Sequence, residues 1–453
     1  MVKLPKTDPY TDQKWSYYPE GLQESIDSNE YIIGVYYAAF SSTLDPWYMG
    51  QVVVQEQTVG SYYPVISDPK DILRKFSAKV IGVYEVPPIE IGIPKDVKER
   101  EYIINIAYPL AGLDSEIPLL LTTLMGNISL GGKVKLLDVI FPQAFLANYQ
   151  GPKFGIEGIR GKLKIPERPL LCNIDHAYTI DDGKSLFYEA AAGGADIIKD
   201  DESTAGNIPY LPLEERVSTY MEQRDRVKEE TGEDTIYAVN ITAGPKTIFE
   251  NADKVIECGG NGLMVNYLTV GLPVVRTLTR DPSINLPILG HMDFAGVYYE
   301  SDMSGISSFL IMGKLARLAG LDILVYPSAY SKAPFIRDKY LACAKALRYP
   351  FYHLKPILPM PSGGITPGIA LRIIKDLGKD ILIGAGVGIH SHPQGTRAGA
   401  KAFRQIIDIG ISSDLDEAED DLEDYLDEHD DMYHELRQAV ESWGKTGIQY
   451  KKV

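Results

Sequence analysis

Beyond Gly151-Pro152 the apolar positions gather into eight short, nearly unbroken runs. They are Leu171–Asp175, Ala195–Lys199, Thr235–Ile241, Gly262–Asn266, Leu286–His291, Asp322–Tyr326, Ile357–Ser362 and Asp380–Gly384. Stretches of helical periodicity lie between them, among them Lys184–Ala192, Leu213–Glu230, Ile306–Ala319, Lys339–Leu347 and Pro367–Leu377. A strand covered on both faces reads as a continuous apolar run. Eight such strands, each followed by a helix at intervals of about 30 residues, are what a (β/α)8 TIM barrel requires. An open, doubly wound sheet fits the same alternation, but the chain carries no glycine-rich dinucleotide fingerprint, which favours the barrel.

Residues 1–150 lack that regularity. Strand-like runs at Tyr31–Phe40, Lys79–Val86, Tyr102–Tyr108 and Val134–Ile140 mix with a helix over Glu116–Met125 and an earlier one after Asp68. This pattern predicts a small α+β domain of ferredoxin-like type, a sheet with helices on one face. The fold class is therefore α/β, divided as 1–150, a barrel over 151–410 and an extension over 411–453.

Charge refines the last of these. The chain of 453 residues carries −17, and the twelve acids between Asp414 and Asp431, with no Lys or Arg among them, account for most of the excess. Leu415, Ala418, Leu422, Tyr425 and Leu426 recur there at helical spacing, which predicts an acidic amphipathic helix packed on the body. No basic stripe marks a nucleic-acid partner, and no apolar run is long enough to span a membrane. The three cysteines, Cys172, Cys258 and Cys343, are far apart and without metal or redox spacing, as expected of reduced thiols in a cytoplasmic protein.

The strand ends carry the chemistry, because a barrel works at the C-terminal ends of its strands. Lys199, Asp201 and Glu202 close the second run, Asp175 and His176 the first, His291 and Asp293 the fifth, and Ser362-Gly363-Gly364 the seventh. Alternation places Lys199 and Asp201 on one face with Glu202 just beyond. Two carboxylates with a third oxygen donor suit a hard cation such as Mg²⁺, and a lysine nitrogen that takes up CO₂ becomes an anionic carbamate donor. A solvated charged turn is the bland alternative for the tetrapeptide alone, but four polar strand ends converging on one mouth favour a site. Glycine-rich turns at Ser362-Gly363-Gly364 and Gly384-Ala385-Gly386-Val387-Gly388 follow the seventh and eighth runs, the usual place of a barrel's phosphate cradle. His291 is the first candidate for general acid or base, Asp175 or His176 the second; His390 and His392 read as structural.

Gly194-Ala195-Asp196-Ile197-Ile198-Lys199-Asp200-Asp201-Glu202 resembles the active-site signature of the ribulose-bisphosphate carboxylase (RuBisCO) large-subunit superfamily, with Ile197 in place of the usual phenylalanine. The resemblance extends to about Asp408 and includes Gly151-Pro152-Lys153-Phe154-Gly155-Ile156, Gly126-Asn127, Gly290-His291, Ser362-Gly363-Gly364-Ile365 and His392-Pro393-Gln394-Gly395. It implies that Lys199 is carbamylated and binds Mg²⁺ with Asp201 and Glu202. It also implies that Glu56 reaches a neighbouring subunit's site, that Asn127 approaches metal and substrate from the N-terminal domain, and that the protein is at least a homodimer.

Departures from the family pattern are selective. Where carboxylases carry two lysines after the first strand, this chain has Asp175-His176-Ala177. The His-Arg pair after strand five is His291-Met292, and Val325 holds the place of a histidine at strand six. The loop with the essential lysine becomes Pro327-Ser328-Ala329-Tyr330-Ser331-Lys332, in which Lys332 is the candidate and Pro334 follows. This profile resembles RuBisCO-like proteins, the non-carboxylating branch. It implies Mg²⁺-dependent enolisation, isomerisation or decarboxylation of a singly phosphorylated keto-sugar or sugar acid. Methionine-salvage enolases, which carry an N-domain lysine near Asn127, a genuine carboxylase, and a non-catalytic binding or stress-response protein are the competing readings.

Overall fold

A computed structural model describes residues 26–59, 70–333, 335–412, 418, 422–429 and 432–444. Two compact units divide the chain: residues up to Tyr149 together with Ala295–Ile311, and Gln150–Phe294 together with Met312 onward.

The first unit runs β1 (Tyr31–Ser41), α1 (Pro46–Gln57), α2 (Lys70–Phe76), β2 (Lys79–Val86), β3 (Glu99–Pro109), α3 (Ile117–Met125) and β4 (Val134–Ile140). Its antiparallel strands lie in the order β4-β1-β3-β2, with Tyr36 of β1 opposite Ile104 on one side and Leu136 on the other. Helix α1 starts where Asp45 caps it, accepting from the Tyr48 amide at 2.9 Å, with Pro46 in the first turn where its missing N–H costs nothing. A further strand pair corrects one expectation. The helix predicted over Ile306–Ala319 begins later, because Gly305–Ile306 (β10, counting along the chain) pairs in parallel with Lys135–Leu136 at the open edge of β4. The Ser307 amide continues that ladder to Leu136 O at 2.9 Å, and helical turns occupy Leu310–Leu318. An unpaired strand edge offers amides and carbonyls, and here a segment distant in sequence takes them.

The second unit holds eight parallel strands: β5 (Leu170–Asp175), β6 (Ile197–Asp200), β7 (Ile236–Asn240), β8 (Gly262–Asn266), β9 (Ile288–His291), β11 (Ile323–Pro327), β12 (Leu358–Ser362) and β13 (Leu382–Ala385). They pair in the order β12-β11-β9-β8-β7-β6-β5-β13, and Ser362 Oγ donates to Gly384 O at 3.3 Å between the two end strands. The result is the expected eight-strand parallel barrel, nearly closed. Leu170, Cys172, Ile197, Ala238, Met264, Leu289, Val325, Met360 and Leu382 fill its interior as a packed core. The principal surrounding helices are α4 (Gly155–Leu163), α5 (Ile180–Ala192), α6 (Leu213–Thr231), α7 (Thr247–Glu257), α8 (Leu272–Arg280), α9 (Arg337–Arg348), α10 (Pro367–Leu377) and α11 (Thr396–Ile411).

The acidic segment contributes α12 (Leu422–Glu428), followed by α13 (His434–Trp443). Ala418, Leu422, Tyr425 and Leu426 are buried, while Glu423, Asp424, Asp427 and Glu428 face solvent. The stripe is therefore amphipathic as its spacing predicts; Leu415 lies outside the described residues. His392 accounts for part of the anchoring, through its Nε2 contact to Glu435 O at 2.9 Å. Among the described residues no helix is long and apolar enough to cross a membrane.

Candidate active site

Strand β6 sets the site by alternation. Ile197 lies in the barrel core, and Lys199, fully buried, projects on the same side; its Nζ donates to Asp200 O at 2.8 Å and stands 3.9 Å from Glu202 Oε2. Asp200 turns the other way. Its Oδ2 lies 3.2 Å from Arg216 Nη2 of α6 and accepts from the Asn240 amide at 2.8 Å, and its Oδ1 accepts from Tyr237 OH at 2.6 Å. Burial pushes the Asp200 carboxyl up, opposed first by Arg216 and then by Tyr237 and Asn240. The family-like tetrapeptide thus contains one anchor, Asp200, that fixes its neighbours toward the mouth.

Two residues that the sequence reading did not single out hold the next turn. Asn240 Nδ2 donates to Asp201 O at 3.1 Å and Glu202 O at 3.2 Å, and Asn266 Nδ2 donates to Glu202 O at 3.0 Å. Each ends its strand, β7 or β8. The only sequence signal was a lone asparagine closing an apolar run, where a solvated loop would start.

Both mouth carboxylates face imidazoles. Asp201 Oδ2 lies 3.1 Å from His176 Nδ1, and its Oδ1 accepts from the Ser203 amide at 3.0 Å and hydroxyl at 2.5 Å. Burial alone would raise the Asp201 carboxyl; His176 and Ser203 outweigh it and hold the group well below the usual carboxylate range. Glu202 Oε2 lies 3.5 Å from His291 Nε2, and His291 Nδ1 is 3.1 Å from Asp293 Oδ1. Burial lowers the His291 pKa, with the Lys199 charge acting in the same direction and Asp293 and Glu202 against it. Burial thus favours the neutral ring, and the two carboxylates favour the imidazolium. Asp175 is not part of this mouth. It lies on the outer side of β5 beside Tyr220, where burial and the Asp200 charge push its carboxyl up to about 7.

Across the mouth, Ser362 is buried and the turn after β12 runs through Gly363 at φ +108° and Gly364 at φ +79°, a region open to glycine. The loop after β11 is tied to it: the Ser328 amide donates to Ser362 O at 3.1 Å and the Lys332 amide to Gly363 O at 2.9 Å. The Lys332 side chain is exposed, and Pro334 lies outside the described residues. After β13 the chain passes so close to His176 that a Cβ on Gly386 would stand 3.0 Å from the ring's Nε2. Gly388 follows in the short helical turn Val387–His390. Both ring nitrogens of His390 are engaged by contacts to Ile174 O at 3.0 Å and Thr396 Oγ1 at 3.1 Å.

In the first unit, Glu56 is exposed on the last turn of α1, and Asn127 opens a 3₁₀ turn over Asn127–Leu130. Gln57 joins the two segments, donating to Thr122 O at 2.8 Å and Thr123 O at 2.9 Å while its Oε1 accepts from the Ile128 amide at 3.4 Å. The Gly60-Ser61-Tyr62 part of the Glu56 motif lies outside the described residues.

Among the described residues no three His, Cys, Asp or Glu side chains are grouped so as to hold a metal ion. Asp201 and Glu202 supply two carboxylates, and the third group beside Glu202 is the Lys199 amine. The donor set therefore fits a hard cation once that amine becomes a carbamate, and an unmodified Lys199 instead pairs with Glu202.

The profile described as "Ribulose bisphosphate carboxylase large chain, catalytic domain" matches residues 179–443, and that of the corresponding N-terminal domain matches residues 22–145. The chain belongs to the RuBisCO large-chain family. It is 50% identical over 401 residues to a ribulose bisphosphate carboxylase-like protein of Archaeoglobus fulgidus, covering 88% of this chain and 92% of that one. A 2,3-diketo-5-methylthiopentyl-1-phosphate enolase of Geobacillus thermodenitrificans is 34% identical over 402 residues, with 86% and 93% covered. Among solved structures, the octameric RuBisCO of Pyrococcus horikoshii superposes with a TM-score of 0.83 at 27% identity, over 94% of this chain and 97% of its own. In this chain Lys199, Asp201 and Glu202 stand at the end of β6, β5 ends at Asp175 and runs into His176-Ala177, and β9 leads into Met292.

Proposed function

We propose that this RuBisCO-like chain is an enzyme that enolises a singly phosphorylated keto-compound, and that it does not fix CO₂. The observation that carries the reading is the retained Lys199, Asp201 and Glu202 facing the Gly363 and Gly386 turns, with His176 between Asp201 and Gly386. Asp201, Glu202 and a carbamylated Lys199 would hold Mg²⁺, which when bound polarises a substrate carbonyl and favours its enediolate. His291 is the base in this reading. It is buried, held by Asp293 and set beside Glu202. The two glycine turns offer backbone amides to a phosphoryl group. Met292 replaces the arginine that would grip a second phosphate, so a monophosphate is the substrate class. Isomerisation would follow from reprotonation of that enediolate at the neighbouring carbon, and decarboxylation of a β-keto acid would arrive at an enolate by loss of CO₂ and end with its protonation.

Glu56 and Asn127 act in this scheme from the first unit of a partner copy, making a homodimer the smallest active species. A cytoplasmic setting accords with three free cysteines. A narrower reading, 2,3-diketo-5-methylthiopentyl-1-phosphate enolase activity, is supported by the 34% identity to that enzyme.

The deciding experiment incubates the protein with Mg²⁺, bicarbonate and a panel of keto-sugar monophosphates in D₂O and follows exchange of the α-proton by NMR. Exchange lost in Lys199→Met supports the proposal. Labelled CO₂ fixed onto ribulose bisphosphate would establish a carboxylase instead, and no Mg²⁺-dependent binding or exchange with any compound would leave only a scaffold.

A further inference from the structure

A cavity of about 510 Å³ opens between α9, α10 and the loop after β11, lined by Tyr330, Arg337, Leu341, Arg372, Lys375 and Asp376. Three cations against one anion leave this lining with a net charge of +2. Asp376 is already engaged: its Oδ2 accepts from Tyr330 OH at 2.8 Å and its Oδ1 pairs with Arg337 Nη2. Arg372 has no hydrogen-bond or ion-pair partner among the described residues, although it shares the cavity with Arg337. Arg372 thus brings a guanidinium without an anion of its own to the space where Arg337 is balanced by Asp376, and an anion entering there would join the two arginines. The planar fork of arginine matches phosphate oxygens in pairs, whereas a lysine adds a point charge.

We propose that this cavity binds a phosphoryl dianion, as inorganic phosphate or as the phosphoryl group of a small metabolite, at a site apart from the Gly363–Gly386 cradle. Arg337 and Arg372 line the same space, and Leu341 lines it beside them. The site is also linked to the mouth. Tyr330, which packs edge-on against Tyr340 with ring centres 6.3 Å apart, stands two residues before Lys332, whose amide is bonded to Gly363 O. An anion drawn to Arg337 and Arg372 steadies the start of α9 and, through Asp376, the Tyr330 ring. The loop after β11 is then held at Tyr330 as well as at Lys332. This proposal stands independently of the enolisation reading, since none of the cavity residues belongs to that chemistry.

Calorimetric titration of the full chain with inorganic phosphate, and separately with ribose 5-phosphate, tests it. The double variant R372S/K375S changes two exposed side chains, and its melting temperature checks that the fold is kept. The expected result is loss of one binding event, or its weakening by at least about tenfold, relative to the wild type. Gly386→Val, which obstructs the cradle, keeps that event and loses any other, so failure of the cradle is seen separately. Ribose 5-phosphate binding tighter than phosphate assigns a metabolite, and equal affinities assign free phosphate. Binding identical in the wild type and R372S/K375S overturns the site. Hydrogen exchange of residues 328–333 slows on saturation in the wild type alone; equal slowing in both proteins overturns the link to the mouth.

Discussion

The imidazole of His176 stands 3.1 Å from the Asp201 carboxylate through Nδ1, with its Nε2 turned toward the backbone at Gly386. One side chain thus touches both halves of the mouth, the carboxylates after β6 and the glycine turn after β13. His176→Ala frees Asp201 to rotate and opens the floor of the turn, so we expect kcat to fall by roughly 10²–10⁴-fold, the range of a lost acid–base or positioning group. Gly386→Val pushes the same ring aside from the opposite direction and produces a comparable loss, while near-native melting temperatures would show that both effects are local. Steady-state kinetics on the substrate found by α-proton exchange gives the comparison.

Lys199 is buried, and its Nζ faces a backbone carbonyl and Glu202. Lys199→Met keeps the volume and removes the amine. We expect Mg²⁺-dependent exchange to fall below detection. Carbon-13 bicarbonate should give a carbamate signal in the wild type that the variant lacks. A variant that retains full exchange would remove the metal mechanism.

Arg216 and Asp200 are both almost wholly inaccessible, at 0% and 1% side-chain exposure. Arg216→Met leaves the Asp200 carboxylate buried without its ion pair, at a cost of about 3–5 kcal/mol. Urea denaturation measures that cost. Replacing both partners, in R216M/D200N, recovers part of the loss, because no charge is then left stranded.

Asp175 has a folded-state pKa of about 7, raised by burial and the Asp200 charge from an ordinary value of 3.8. The folded protein therefore holds this proton more tightly than the unfolded chain. Its stabilising contribution is whole below about pH 4 and is lost as pH rises from there through 7. Asp175→Asn removes that slope, so the variant should be more stable than the wild type at pH 8, by roughly 2–4 kcal/mol, and show little gain at pH 4. Asp201 has the opposite sign. Its depressed pKa stabilises the fold above the usual carboxylate range, and that contribution is lost as pH falls through its own lower value. Thermal melts between pH 4 and 9 follow Asp175, and acid denaturation carried below pH 3 follows Asp201.

The barrel was legible because each strand is covered on both faces and so appears as an apolar run, and the second strand's end gave Lys199, Asp201 and Glu202 directly. What stayed hidden has physical causes. The unforeseen α1 buries Gln51, Gln55 and Gln57 on its packed face, so it shows no apolar stripe, and only Asp45-Pro46 announced it. Strand ends such as Asp175 and His176 are adjacent in sequence but diverge in space, one behind the sheet and one in the mouth. Sequence order could not say which of the two faces the site. Asn240 and Asn266 act through backbone carbonyls of another strand's loop, a relationship that no residue pattern encodes.

The pairing of Gly305–Ile306 with β4 makes the first unit discontinuous along the gene. No single cut in the chain can release that unit whole. A fragment ending near Tyr149 would expose the amides of β4 to any passing strand and would be prone to self-association. The edge is sealed only after residue 306 has been synthesised. For this protein, the N-terminal sheet is finished by a segment that follows most of the barrel.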